Sequence, residues 1–139
     1  MPTYHVREIM SSPVVTVENQ ASLEEAAAIM NLNGFRRLPV VDNAGKLVGI
    51  LTEGDARAPL MAQAAENPYD PDADNWLAVD EAMTREVITV TPNTLVVDVV
   101  ELLLENKIGG VPVVENGELV GMVTESDVFR LLIREWKPR

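Results

Sequence analysis

The chain has 139 residues, one histidine, no cysteine and a formal net charge of −11. That length holds one compact domain, or two half-domains sharing a core. Without cysteine there are no disulfides, thiolate metal sites or cysteine nucleophile, and an acidic surface with no block of Lys or Arg argues against nucleic acid or anionic membranes as partners.

The N-terminus, Met-Pro-Thr-Tyr-His-Val-Arg-Glu, lacks an apolar signal core, and no apolar run approaches the roughly 20 residues that span a bilayer. A cytoplasmic protein is expected. His5 has no ligand or catalytic companions nearby, so neither a metal site nor a catalytic role is assigned to it. Val14 to Val17 reads as a short β-branched strand. Ser22-Leu-Glu-Glu25 has the form of a capping box, in which the Ser oxygen accepts from a free amide and Glu25 reaches back. It opens a helix with Leu23, Ala26, Ala27 and Met30 on one face, stopped at Asn33-Gly34. Leu38 to Val41 is a buried strand, Asp42 to Gly45 a turn and Leu47 to Leu51 a second strand.

From Pro59 onward the chain starts helical. Asn67 to Asn75, with two prolines and three aspartates, then reads as a solvated linker. Asp70, Asp72 and Asp74 alternate as in calcium loops, but the Gly and terminal Glu of such a loop are missing. Trp76 is expected to pin the linker back onto the domain. A second strand-helix-strand-turn-strand series follows. It comprises Val87 to Val90, a helix from Leu95 to Asn106 capped by Thr94, Val111 to Val114, a tight hairpin turn at Asn116-Gly117, and Leu119 to Val123. The second helix carries Leu95, Val96, Val97, Val99, Val100, Leu102, Leu103 and Leu104 on more than one face. A helix so apolar is covered on several sides, and one of them is expected to meet another chain.

These two series are one statement made twice. Leu38-Pro-Val-Val-Asp-Asn-Ala-Gly-Lys-Leu-Val-Gly-Ile-Leu-Thr-Glu-Gly-Asp55 returns as Val111-Pro-Val-Val-Glu-Asn-Gly-Glu-Leu-Val-Gly-Met-Val-Thr-Glu-Ser-Asp127, with one residue fewer in the turn. Upstream, Ile9-Met10 is echoed by Ala82-Met83. Two copies without a third suggest a closed pair rather than a solenoid.

In both copies a strand ends and a helix begins at Thr-x-x-Asp: Thr52 to Asp55 and Thr124 to Asp127. Read structurally, this is a capping box variant, which needs no ligand. Read functionally, Asp is shorter than the usual capping Glu, reaches back less well, and is left free to accept two hydrogen bonds from a vicinal diol, as acidic residues do with ribose in dinucleotide folds. No nucleophile–base pair, P-loop or metal-ligand cluster accompanies the motif. The acid pairs Glu24-Glu25 and Asp80-Glu81 suit helix starts without catalysis. An enzyme is therefore not expected, nor is a required cofactor or metal.

The doubled pattern, from the Met before the first strand to Gly-x-Leu-Val-Gly-x-x-Thr-x-x-Asp, resembles the CBS domain in tandem, the pair known as a Bateman module. The resemblance divides the chain into a first repeat at 1–60, an acidic Pro/Asp-rich linker at 61–78 and a second repeat at 79–139. It implies a mixed α/β (α+β) fold of two pseudo-twofold-related β-α-β-β-α repeats packed through their small sheets. It also implies a regulatory module that senses AMP, ADP or ATP and acts on a separate effector protein, as a homodimer of CBS pairs. The family's sites take Thr and Asp from one repeat and adenine-lining residues from the other. One set would be Thr124, Asp127 and Met122 with Val14, Phe35, Arg36, Arg37 and Pro39. The second would be Thr52, Asp55 and Ile50 with Val87, Ile108, Gly109, Gly110 and Pro112.

The arginines at 36 and 37, against glycines at 109 and 110, would let the first set favour a phosphate. The glycines of the second would admit close backbone approach. Arg57 and Arg130 would add phosphate contacts. The other reading is a structural or protein-interaction pair in which both Asp residues serve only as caps.

Overall fold

The structure is a computed structural model, and it describes residues 2–66 and 76–138. Asp70, Asp72 and Asp74, read from the sequence as part of a solvated linker, lie outside the described residues. The chain divides into two compact units, a contiguous one, Val15–Val87, and a split one, Met1–Val14 with Ile88–Arg139. Sequence repeat and compact unit are therefore different divisions: the opening segment of each repeat belongs to the unit that holds the rest of the other.

In the contiguous unit the order is β1 (Val17–Glu18), α1 (Leu23–Asn33), β2 (Arg37–Val41), β3 (Leu47–Thr52), α2 (Glu53–Glu66) and α3 (Val79–Ala82). β1 pairs parallel to β2, and β2 antiparallel to β3 with a register shift at Val40/Val41. Ser22 caps α1 as its sequence predicts, its Oγ accepting from the Glu25 amide at 3.1 Å, and Gly34 ends the helix in the left-handed region at φ 69°. The turn after β2 is built by Asp42, whose Oδ1 accepts from the amides of Ala44 and Lys46, each at 2.9 Å. The core gathers Leu23, Ala26 and Met30 of α1, Leu38 and Val40 of β2, Leu51 of β3, Ala56 of α2, and Val79 with Met83. Each fully buried aliphatic side chain there contributes roughly 1.5–3 kcal/mol relative to exposure. Trp76 does not anchor the linker by burial, being 63% exposed. That position passes to its neighbour: Leu77 packs on the core and its carbonyl accepts from the Leu23 amide at 2.8 Å.

In the split unit, α4 (Val96–Asn106), β4 (Gly110–Glu115), β5 (Glu118–Thr124) and α5 (Glu125–Trp136) follow one another, with β4 antiparallel to β5. Asn116 and Gly117 both take positive φ, 52° and 79°, as a two-residue hairpin of type I′ requires. Val6, Val99, Leu103, Val111, Val113 and Val123 form one cluster, and Val96, Val128 and Leu131 join α4 to α5 in another, with Tyr4 and Ile9 of the N-terminal arm packed against it. Thr94 is not the helix cap. Its Oγ1 accepts from the Thr91 amide in the preceding turn, and Leu95 stands at the cap without a side-chain bond.

Two predicted strands shrink. Val14 to Val17 contributes only Val17 to β1, and Val87 to Val90 contributes a single parallel bridge from Val90 to Val113. The cause lies in the chain path. Ser11 pairs with Met122 in the split unit while Val17 pairs with Val40 in the contiguous one, and Thr84 pairs with Ile50 while Val90 pairs with Val113. The residues between these anchors pass from one unit to the other and have no continuous edge to follow.

Candidate functional site

Both Thr-x-x-Asp ends sit where their residue types require, at the last position of a strand and the first turn of a helix. Thr52 closes β3 and Asp55 lies in α2; Thr124 closes β5 and Asp127 lies in α5. Glu53 and Glu125, the first residues of the two helices, donate their amides to the carbonyls of Arg36 (2.7 Å) and Gly109 (2.9 Å). Each helix start is thereby tied to the residue just before the Pro-containing strand. The strand registers complete the frame: Arg37 lies opposite Thr52 and Pro39 opposite Ile50, and Gly110 lies opposite Thr124 and Pro112 opposite Met122.

The carboxylates are not left free by their short reach, which corrects the reading from side-chain length. With Thr124 in extended conformation (φ −126°, ψ 168°), Asp is long enough to return to the Thr amide. The Thr52 amide donates to Asp55 Oδ2 at 3.1 Å, and Thr52 Oγ1 accepts from the Asp55 amide at 3.1 Å. The Thr124 amide donates to Asp127 Oδ2 at 2.8 Å, and its hydroxyl donates to the same oxygen at 3.2 Å. In each case one oxygen serves the cap and the other decides what else the group can do.

That second oxygen separates the two ends. Asp127 is 8% exposed, and its Oδ1 accepts from Arg130 Nη1 at 3.2 Å. Asp55 is less buried and, among the described residues, its Oδ1 has no hydrogen bond. Arg57 is ion-paired to Glu53 instead. Arg57 and Arg130, the two helix arginines expected to add phosphate contacts, are thus each engaged with an acid of their own helix, and of this pair Arg130 is on the motif carboxylate.

A second pair of contacts backs these strand ends. Met10 and Met83, the echoed methionines, lie over Gly121 and Gly49. A Cβ on Gly49 would stand 2.5 Å from Met83 Sδ and 3.0 Å from the Thr84 carbonyl, and one on Gly121 would stand 2.6 Å from Met10 Sδ and 3.2 Å from the Ser11 carbonyl. The next residues hydrogen-bond in pairs, Ser11 with Met122 (2.9 and 3.1 Å) and Thr84 with Ile50 (2.9 and 2.8 Å). Met122 and Ile50 belong to the predicted site, whereas Met10, Ser11, Met83 and Thr84 were absent from it. The Ile9-Met10 and Ala82-Met83 echo was their only trace in the sequence.

Of the residues assigned by resemblance, Thr124, Asp127, Met122 and Val14 belong to the split unit, as do Ile108, Gly109, Gly110 and Pro112. Thr52, Asp55, Ile50 and Val87 belong to the contiguous unit with Phe35, Arg36, Arg37 and Pro39. Phe35 is 41% exposed, whereas Pro39 and Pro112 are fully buried. Among the described residues no group of three or more His, Cys, Asp or Glu side chains could hold a metal ion, and no helix is long and apolar enough to cross a membrane.

Two copies of one strand–Thr-x-x-Asp–helix unit define a repeat protein, and comparison names the repeat. The profile of the CBS domain matches residues 6–61 and 79–134, and the chain belongs to that family. A CBS domain-containing protein of Dictyostelium discoideum is 33% identical over 96% of this chain and 94% of its own length. The L-aspartate semialdehyde sulfurtransferase of Methanocaldococcus jannaschii is 37% identical, but this chain spans only 23% of that protein. Among solved structures, the CBS domain pair of protein MJ0100, in complex with 5′-methylthioadenosine and S-adenosyl-L-methionine, superimposes with a TM-score of 0.79 at 36% identity, covering 96% of this chain and 99% of that one. CBSX2 in complex with AMP gives a TM-score of 0.80 at 26% identity, with coverage of 96% and 99%.

Proposed function

We propose that this chain is a regulatory module that binds an adenosine compound, AMP, ADP or ATP foremost, through its Thr-x-x-Asp ends and acts on a separate protein. The observation that carries the reading is the doubled strand-to-helix junction, in which a Thr hydroxyl and an Asp carboxylate are held side by side by bonds to their own backbone. A ribose offers two adjacent hydroxyls, and such a pair of polar groups matches them in the way acidic residues match ribose in dinucleotide folds. The adenosine ligands of the MJ0100 pair and of CBSX2 support the same chemistry. Nothing in the motif provides a nucleophile with its base, so binding energy is available to shift a conformational equilibrium and not to make or break bonds.

In this reading the chain works as a homodimer. Val97 and Leu104 on α4 are 58% and 74% exposed, and Leu32 on α1 is 86% exposed, so both helices keep an apolar side turned away from their own cores. Light scattering at micromolar concentration tests this part, and a monomer would remove it.

The decisive experiment is a thermal-shift series with AMP, ADP, ATP, adenosine and S-adenosylmethionine. A ligand at about 100 times its dissociation constant adds roughly 2.7 kcal/mol. A shift that disappears in an Asp127→Ala or Asp55→Ala variant supports the reading. The second reading, a protein-interaction pair without a nucleotide, is favoured by the capping bonds that both carboxylates already make. It predicts no shift with any compound and only a stability loss in the two variants.

A further inference from the structure

We infer that the outer side of α5 is the docking surface for the protein this module acts on, and that it takes an acidic amphipathic helix of that protein. This rests on the reading above that the chain acts on a separate protein, and it gives that contact a chemistry.

Three large apolar side chains stand bare on this one helix: Phe129, Ile133 and Trp136 are 56%, 54% and 73% exposed. Steps of four and three residues put them in one stripe, with the spacing of a coiled-coil seam. The core does not use them, because α5 packs inward through Val128 and Leu131. Arg130 and Arg134 stand one turn apart beside the stripe, and Lys137 follows at the helix end. The last ten residues hold four of the chain's 11 Lys and Arg residues and a single acid. That acid, Glu135, is turned to the N-terminal arm, where it accepts from Tyr4. Cations suit a helix C-terminus by themselves, but a bare Phe, Ile and Trp beside them do not follow from the dipole. Trp and Arg are the side chains that most often carry binding energy at protein interfaces.

The repeat supplies a control. α2 has the same place in the first copy, and its residues at the stripe positions are Arg57, Met61 and Ala64, with Ala62 and Ala65 where α5 has Arg134 and Lys137. The repeat fold therefore does not require the stripe. The exposed apolar residues assigned above to a second copy lie on α1 and α4, so both repeats contribute to that face. A stripe made by one repeat alone suits a different occupant.

Charge selects that occupant. The last ten residues carry +3 and the rest of the chain −14. A bilayer or a nucleic acid is broad and meets the −14 as well. An α-helix is about 10 Å across, close to the roughly 8 Å over which physiological salt screens charge, so an acidic helix lying on α5 feels the local cations foremost. Its apolar seam covers Phe129, Ile133 and Trp136, and its carboxylates meet Arg134 and Lys137.

Trp136 reports on its own burial in the full-length Trp76→Phe chain. The probe is a synthetic peptide of about three heptads with Leu at the a and d positions and Glu at e and g. It should shift Trp136 emission to the blue and saturate, and the same peptide with Lys for Glu should not. Arg134→Glu with Lys137→Glu, and separately Ile133→Ala, should each weaken binding about tenfold. Neither change should alter the thermal shift given by adenosine compounds, so loss of that shift in the wild-type chain overturns the adenosine reading and not this one. No blue shift with the Glu peptide, or equal binding of the Lys peptide, overturns the inference. So does a blue shift produced by vesicles of phosphatidylglycerol and phosphatidylcholine in equal parts but not by the peptide. Light scattering supplies the last arm: an Ile133→Arg chain smaller than wild type would put a second copy on the stripe and overturn the separate partner, and an unchanged size supports it.

Discussion

The ends at 52–55 and 124–127 share sequence, secondary structure and capping geometry, yet they handle charge differently. In the contiguous unit the motif acid is half-buried, and the nearby arginine serves Glu53. In the split unit the acid is buried and the arginine serves the acid itself. The residues responsible stand outside the repeated motif, one turn into the helix, where the copies have diverged: Arg57 is two residues past Asp55, and Arg130 three past Asp127. On a helix, three residues separate neighbours on one face and two do not. A one-residue change in spacing thus decides whether the helix arginine meets the motif carboxylate or another acid of its helix.

The largest effects should come from breaking the cores on which the ends rest. Leu38→Ala is expected to cost about 2–5 kcal/mol, and its counterpart Val111→Ala about 2 kcal/mol, because the valine loses fewer buried carbons. Both positions are essentially inaccessible to solvent. Chemical denaturation of the two variants measures the difference directly. Equal losses would show that the split unit collapses less readily around a void.

Next are the glycines beneath the methionines. Gly49→Ala forces a methyl against the Thr84 carbonyl as well as Met83, whereas Gly121→Ala meets its backbone neighbour 0.2 Å farther away, at 3.2 against 3.0 Å. Overpacking of this kind costs about 1–3 kcal/mol, and Gly49→Ala should lie at the upper end. A Gly121→Ala variant less stable than Gly49→Ala would contradict the ranking.

The binding comparison comes third. Arg36→Ala with Arg37→Ala should reduce nucleotide affinity about tenfold and flatten its salt dependence. Resemblance groups these arginines with Asp127, while strand pairing sets Arg37 opposite Thr52. Combining the double variant with Asp55→Asn or Asp127→Asn shows which carboxylate shares their ligand. An affinity that is additive with both rejects any shared site.

The smallest effect concerns the N-terminal arm. Tyr4 donates a hydrogen bond to Glu135. This bond, followed by desolvation and the Glu135 charge, raises the phenol above its ordinary pKa. The neutral phenol is the form stabilised in the folded state. The contribution is therefore complete below the unfolded value of about 10 and is lost as pH rises through the higher folded value. Wild-type and Tyr4→Phe denaturation midpoints should converge on alkaline titration, and a constant gap would rule out the bond as the source.

Much of this architecture was legible in the chain because it depends on short-range chemistry. Ser22, Gly34, Asp42 and Asn116-Gly117 each act on backbone within a few residues, and the repeat itself identified the strand-to-helix junctions. Thr94 misled because Ser22 and Leu95, not Thr94, occupy matching positions in the two copies; a hydroxyl one residue early caps a turn instead of a helix. The strands at 14–17 and 87–90 misled for a different reason. Local β propensity was present, but pairing depends on partners far along the chain, and those partners lie in different units.

The sequence by itself determined the family, the duplication, the helices other than α3, the turns, and the Thr and Asp of each end. All of these follow from residue type and spacing. Only the tertiary structure decided that the arm at 1–14 completes the second repeat's unit, that methionines from those crossing segments cover the strand glycines, and that Asp127 shares its carboxylate with Arg130 while Asp55 does not. Each of those facts is a matter of which groups meet and how much water is excluded between them, and neither can be read from the order of residues along the chain.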